Sequence, residues 1–282
     1  MSHVWDAMKK HKAEQSSQEQ PVNGAVPQAA AEAKPPAVQE RVLTARLVDP
    51  SMPRPLEPVT DNYTEVIATH HDRGGAITEQ FRALRTHLLS HYGEKRFSAI
   101  ITSAEPGEGK TVTCLNLAVV LAERPERTTV IVDGDLRKGK MASYLKIDKG
   151  PGMADLLRGG ATIASVVRPT VYPNLFVIPA GEAAQKEVGE LMGRAELKEV
   201  EAELRQKYDY VLIDTPPVNG AADAGMLGQA VDGALVVVHM NRTHRESVDR
   251  AIRLLHASNI TVAGLILTHQ KYYIPNYLYR YS

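Results

Sequence analysis

The stretch that most constrains this chain is Ser103-Ala104-Glu105-Pro106-Gly107-Glu108-Gly109-Lys110-Thr111. An apolar run, Phe97-Ser98-Ala99-Ile100-Ile101-Thr102, precedes it, and an apolar-periodic segment from Val112 to Leu121 follows. Strand, Gly-rich turn, Gly-Lys-Thr and helix, in that order, make a phosphate cradle. Glycines let the backbone wrap so that its N–H groups point inward at an anion, and the start of the next helix adds a favourable dipole. In such a loop Lys110 reaches the β- and γ-phosphates and the Thr111 hydroxyl ligates Mg²⁺. The segment Pro106, Gly107, Glu108, Gly109, Lys110, Thr111 and Val112 is therefore expected to bind a nucleotide.

The 282 residues are unevenly composed. Positions 13 to 60 are rich in Pro, Gln, Ala and Glu and hold no aromatic residue. Such a segment buries too little apolar surface to offset its ordering entropy, and it reads as a linker. Residues 1–64 are assigned to a short amphipathic start (Val4, Trp5 and Met8 on one side) plus this linker, 65–270 to one folded domain, and 271–282 to a tail. Lys plus Arg and Asp plus Glu are 33 each, so no net charge draws the protein to nucleic acid or to a membrane. The lone Cys114 reads as a small packing residue. One cysteine permits no internal disulfide, no run approaches 18 apolar residues, and the start has no apolar signal core. The expectation is a cytoplasmic protein.

From about Ile77 a helical stripe places Phe81, Leu84 and Leu88 on one face, while Glu79, Arg82 and Arg85 recur every three residues on another. Strands are then expected at 96–103, 128–133, 175–179, 209–214, 233–239 and 261–268. Helices are expected at 110–123, 151–158, 188–206, 224–230 and 244–257. Unbroken apolar runs such as Tyr210-Val211-Leu212-Ile213 suit strands covered on both faces. The fold class is α/β: an open, mostly parallel sheet with helices on both faces, whose ligands bind at the carboxyl ends of the strands.

Two further strands end in carboxylates. Val130-Ile131-Val132 runs into Asp133-Gly134-Asp135-Leu136-Arg137, and Val211-Leu212-Ile213 into Asp214-Thr215-Pro216-Pro217. Asp214 suits Mg²⁺, directly or through water. Asp133 suits either the metal or the proton of an attacking hydroxyl, and Asp135 the metal shell. Arg137 reads equally as a surface ion pair or a phosphate contact. Asp223 reads as the N-cap of the helix 224–230, with a site contact as the alternative.

Five of the 11 tyrosines, Tyr272, Tyr273, Tyr277, Tyr279 and Tyr281, crowd the final residues. Pro275 interrupts any helical stripe there. The tail is a packed terminal edge, a base-stacking platform, or a set of phosphate acceptors. In the last case each phosphate adds nearly two negative charges, and neighbouring groups repel.

Taken together, these motifs resemble the catalytic domain of the bacterial tyrosine kinases, over about residues 70 to 282. Pro106 to Thr111 resembles the family's Walker A motif, Ile131 to Arg137 its Walker A′, and Val211 to Pro217 its Walker B. Glu79, Arg82 and Arg85 resemble the Glu-x-x-Arg-x-x-Arg motif of ring formation, and the tail resembles the autophosphorylated cluster. The resemblance implies a P-loop fold of the deviant-Walker, partition-ATPase-like kind. It implies an enzyme that uses ATP and Mg²⁺ to phosphorylate tyrosines on neighbouring subunits and so regulates the synthesis and export of a surface polysaccharide. Lys110, Asp133, Asp135 and Asp214 would be its catalytic residues, with Thr111, Asp133 and Asp214 at the metal. The implied partners are other copies in a ring and a membrane polysaccharide co-polymerase that recruits the chain to the inner face of the membrane. The sequence departs from the family at Lys138-Gly139-Lys140, where Pro is usual, around Gln185-Lys186-Glu187, and at Thr268-His269, where Asn commonly ends the strand. A partition-type switch ATPase and a non-catalytic nucleotide-binding regulator are the competing classes. Partition ATPases carry a lysine where this chain has Glu105.

Overall fold

The computed structural model describes residues 61–93 and 95–270. The expected amphipathic start, the linker and the tyrosine tail lie outside the described residues. The elements, in chain order, are α1 (Ala68–His71), α2 (Ala76–Tyr92), β1 (Phe97–Ser103), α3 (Lys110–Leu121), β2 (Thr129–Asp133), α4 (Met141–Leu145), α5 (Met153–Leu157), α6 (Ile163–Val166), β3 (Arg168–Pro169), β4 (Leu175–Ile178), α7 (Val188–Met192), α8 (Glu196–Lys207), β5 (Tyr210–Asp214), α9 (Asp223–Leu227), β6 (Gly233–His239), α10 (Arg245–Ala257) and β7 (Val262–Thr268).

The sheet has the order β3-β4-β2-β5-β1-β6-β7. Every pairing is parallel except that of the two-residue β3 with β4. Successive strand residues face opposite layers. Ile100, Val130, Val132, Val211, Ile213, Val236 and Val238 pack into one core with α5, α7, α8, α9 and α10. Ala99, Ile101, Ile131, Tyr210, Leu212, Leu235 and Val237 pack into the other with α2, α3 and α4. Period-2 alternation is invisible in the sequence because both faces are apolar. Each Val, Ile or Leu side chain among these strand residues contributes about 1.5–3 kcal/mol by leaving water.

Three expectations need correction. The helix 188–206 is two helices, α7 and α8, interrupted at Gly193. Glycine is a poor helix former, and Arg194 turns away to donate to the Leu157 carbonyl at 3.0 Å. The helix 224–230 is α9 followed by one 3₁₀ turn, Gly228–Ala230. Asp223 is the first residue of α9 rather than its cap. Ala222 holds that position, and no side chain caps the helix. The short α1, α4, α6 and β3 had no expectation, being less than one readable period long.

Helix α8 carries a carboxylic acid in its apolar face. Leu197, Val200, Glu201 and Leu204 all point into the core, and Glu201 is 2% exposed. Neither of its carboxyl oxygens has a hydrogen-bond partner among the described residues. Burial pushes its pKa up to about 8, and Arg205 and Lys198 offset this only in part. The folded chain thus keeps a proton that the unfolded chain releases near pH 4.5. Stability is unpenalised below that pH and falls as pH rises toward about 8, where the folded form also ionises. Glu201→Met should raise stability at pH 8 by about 1–4 kcal/mol and flatten the slope between roughly pH 5 and 8. Urea denaturation curves at several pH values check this, and an unchanged slope would refute it.

Candidate functional site

The strands β1, β5 and β2 lie side by side and end at one edge of the sheet. Asp133 and Asp214 are register partners at the ends of β2 and β5, and the Gly-rich loop leaves β1 beside them. Gly107 (φ 83°) and Gly109 (φ 92°) occupy the left-handed region that glycine adopts without strain. Ala104 stands where an eight-residue loop spacing expects glycine. It is fully buried and does not have a positive φ, so a methyl group fits. No carbonyl or side chain among the described residues accepts from the amides of Gly107, Gly109, Lys110 or Thr111. These donors, at the start of the 12-residue helix α3, are an anion cradle.

Glu108 is turned the other way. Its side chain is buried, and its carboxylate accepts from the Glu105 amide at 2.7 Å, the His239 amide at 3.2 Å and the Thr243 hydroxyl. Its own carbonyl accepts from Thr268 Oγ1 at 2.9 Å. This glutamate buckles the loop to the ends of β6 and β7, leaving only its backbone toward a phosphate. The sequence gives no sign of this tie, because the partners on β6, the following loop and β7 lie 131 to 160 residues further on.

The expected chemistry-bearing side chains converge. Lys110 Nζ lies 3.2 Å from Asp135 Oδ2 and 3.7 Å from Asp214 Oδ1. Thr111 Oγ1 donates to Asp214 Oδ2 at 2.6 Å. Asp133 accepts from the Met141 amide at 2.9 Å and from the Asp135 amide at 3.2 Å. Burial, and then the charge of Asp214, pushes the Asp133 carboxyl up to about 8. Burial pushes Asp214 up to about 6, against the pull of Lys110 and Thr111. Burial also opposes the Lys110 ammonium, but Asp214 and Asp135 outweigh it and raise its pKa. With Asp133 buried behind it, a cavity of about 300 Å³ is lined by Lys110, Thr111, Asp135 and Asp214 together with Pro106, Gly107, Val112, Pro217, Tyr144, Lys138, Lys140 and His269. The last four were not singled out as site residues. A shallower cavity of about 470 Å³, lined by Arg137, Lys149 and Glu182 among others, contains none of the strand-end aspartates.

The oxygen donors suit Mg²⁺. Asp214 Oδ1 is buried and without a hydrogen-bond partner among the described residues, and the Thr111 hydroxyl is beside it. Among the described residues no His, Cys, Asp and Glu cluster forms an all-protein metal cage. A magnesium ion here would complete its shell with phosphate oxygens and water, as this small, hard cation does.

Other candidates fall outside the cavity. Arg137 forms a two-bond pair with Asp223, at 2.9 and 3.2 Å. Cys114 is buried in the core and its thiol pKa is pushed well up by burial, so it packs and does not react. Arg82 donates to both oxygens of Glu123 at 3.0 Å and to Glu79. Arg85 donates to Glu123 at 2.7 Å and to the Val120 carbonyl. Both arginines are thus held against the end of α3, while the Glu79 side chain is 62% exposed. Glu123, which the sequence reading passed over, is the hub of this cluster. No described helix is long and apolar enough to cross a membrane.

Residues 99–259 match the AAA domain family. The chain is 31% identical over 195 residues to tyrosine-protein kinase YwqD of Bacillus subtilis (strain 168), covering 69% of this chain and 81% of that protein. It spans only 25–26% of longer tyrosine kinases that it matches. The crystal structure of the chimerical protein CapA2B2 superposes with a TM-score of 0.69 at 27% identity, over 74% of this chain and 92% of that one. The cell division ATPase MinD of Pyrococcus furiosus has a TM-score of 0.54 at 26% identity, over 64% and 76%.

Proposed function

The chain belongs to the bacterial tyrosine kinases of the capsule and exopolysaccharide type, and from that premise we propose that it is a tyrosine autokinase, transferring the γ-phosphoryl group of ATP to tail tyrosines of a neighbouring copy. The observation that carries this reading is the meeting of Lys110, Asp133, Asp135 and Asp214 at the ends of three strands around an anion cradle.

The loop amides and Lys110 bind and orient the triphosphate. Thr111 and Asp214 would hold Mg²⁺, which neutralises charge on the β- and γ-phosphates when bound. Asp133 takes the proton of the attacking phenol. Its carboxyl is pushed up to about 8, which makes it a stronger base than an ordinary aspartate once ionised. The phenol oxygen bonds to the γ-phosphorus as the bond to the β-phosphate oxygen breaks, and ADP leaves. Asp135 holds the Lys110 ammonium in line. Tyr272, Tyr273, Tyr277, Tyr279 and Tyr281 are the acceptors we assign. Glu79, Arg82 and Arg85 are the subunit contact, with exposed Glu79 as the group that reaches across. CapA2B2 is by name a chimera, and its likeness supports a separate membrane partner of the CapA kind. With such a partner the enzyme would act at the inner face of the membrane and set polysaccharide export.

The partition-type reading draws on the MinD likeness, but the position of the partition lysine is held by Glu105. The test is incubation of the purified chain with Mg-ATP and the cytoplasmic segment of the partner, with phosphate mapped by mass spectrometry. Phosphotyrosine in residues 271–282 is the expected result. ATP hydrolysis without phosphotyrosine would transfer the assignment to a switch ATPase.

A further inference from the structure

On the far side of β2 from β1, the cavity of about 470 Å³ opens at the carboxyl ends of β2 and β4. Arg137 and Lys138, which follow β2, line it together with Gly181, Glu182 and Ala183, which follow β4, and with Lys149. Both segments are held in place. The Met153 and Ala154 amides donate to the Pro179 and Ala180 carbonyls at 2.8 and 2.9 Å, and Gln185 Nε2 ties one segment to the other by donating to the Arg137 carbonyl at 2.9 Å. The donors of this lining are free. The amides of Gly181, Glu182 and Ala183 have no acceptor among the described residues. Gly181, at φ 72°, sits in the left-handed region that lets successive amides converge on one anion. The side chains of Lys138 and Lys149 have no hydrogen-bond or ion-pair partner among the described residues. Asp223 meets the charge of Arg137, and Glu182 is the one acid of the lining. Cations and free amides together suit a small, strongly charged anion.

The position of the cavity says which anion. Lys138 lines it and also lines the nucleotide cavity, so the two adjoin at the end of β2, where Asp133 and Asp135 stand. An acceptor chain delivered to those aspartates passes this mouth. Residues 271–282 carry Lys271 and Arg280 and no acid, so the unmodified tail has no charge that a cationic cavity attracts. Phosphorylation reverses this, because each phosphotyrosine brings nearly two negative charges and three strong acceptor oxygens. Tyr277, Tyr279 and Tyr281 are spaced two residues apart. Each step spans about 6–7 Å in an extended chain, so a tail held by one phosphotyrosine keeps the next phenol close to the donor site.

We propose that this cavity is a phosphotyrosine site: it retains a neighbour's tail once that tail has been modified, so that one tail collects several phosphates before it leaves. The proposal rests on the autokinase reading above. Two measurements on the full chain test it, beside Lys149→Glu, which reverses a charge of this lining and lies outside the nucleotide cavity. Fluorescence anisotropy compares a labelled peptide of residues 271–282 phosphorylated at Tyr279 with the unmodified peptide. Phosphatase-treated wild type should bind the phosphopeptide about tenfold more tightly, and Lys149→Glu should remove most of that preference. Equal binding of the two peptides, or a preference that survives Lys149→Glu, overturns the site. Displacement of the phosphopeptide by an equimolar amount of inorganic phosphate assigns the cavity to the free ion and overturns retention of the tail. In the Mg-ATP incubation, mass spectrometry early in the reaction reads multiply against singly phosphorylated tails. That ratio should fall about fivefold in Lys149→Glu, while the first phosphate appears within about twofold of the wild-type rate. An unchanged ratio overturns the proposal and leaves the kinase reading standing. A wild-type chain that forms no phosphotyrosine overturns the kinase reading, and the proposal with it.

Discussion

Lys110→Met will remove phosphotyrosine from the chain, with a rate loss of about 10³-fold or more. The loss comes from the one ammonium that the described cavity aims at both Asp135 and Asp214. The same substitution does something else. It leaves three buried carboxylates, Asp133, Asp135 and Asp214, with no cation between them. Like charges in a site of low dielectric do not all stay ionised, so the variant should take up protons and melt at a different temperature from the wild type. Lys110→Arg separates the two effects. It restores a positive charge and most of the thermal stability. It does not restore transfer, because a planar guanidinium does not reproduce a compact ammonium at a loop built around one. Thermal melts and phosphotyrosine mass spectrometry on the three proteins decide the matter. Transfer retained by Lys110→Met would remove Lys110 from the transfer machinery.

The second large effect is complementation. A chain carrying Tyr272→Phe, Tyr273→Phe, Tyr277→Phe, Tyr279→Phe and Tyr281→Phe keeps the donor site and lacks acceptors. Lys110→Met keeps the acceptors and lacks the donor. Each alone should be silent, and a 1:1 mixture should recover roughly one quarter of the wild-type signal if neighbours pair at random head to tail in a ring. All of the phosphate should sit on the Lys110→Met chain. Introducing Glu79→Arg into both should cut the recovered signal by about tenfold or more, because an exposed anion then becomes a cation at the contact. Glu79 is the informative position of the three, since Arg82 and Arg85 are also tied to Glu123 within the subunit and their loss disturbs α2 and α3 as well. A silent mixture beside an active wild type would mean transfer within one chain.

The sequence disclosed those parts of the site that are local. A strand, a Gly-rich loop and a helix are adjacent in the chain, so the cradle was legible, and so were the aspartates that end apolar runs. What closes the site is not local. Glu108 finds its partners on β6, the following loop and β7, and Arg137 finds Asp223 86 positions away. Tyr144 enters the cavity from a segment with no motif of its own, and Lys138, Lys140 and His269 enter it from positions where the chain departs from the family pattern. The fold was legible for the same reason in reverse. Long apolar strands announce themselves, whereas α4, α6 and β3 are shorter than the periodicity that would reveal them. The break between α7 and α8 did leave a signal, in Gly193, which the overall helical pattern of 188–206 masked.

The strand order has a consequence for how the protein is made. The strand β1 carries the Gly-rich loop and lies between β5 and β6. Neither neighbour exists on the growing chain until Tyr210, 107 positions after Ser103. At ribosomal rates of about 5–20 residues per second, both edges of a strand that ends fully buried stay unpaired for roughly 5–20 seconds. A nascent chain therefore carries its phosphate loop long before it can hold a nucleotide in it. Through that interval the protection of β1 falls to α2 and α3, the elements that flank it in sequence and are already synthesised or soon follow.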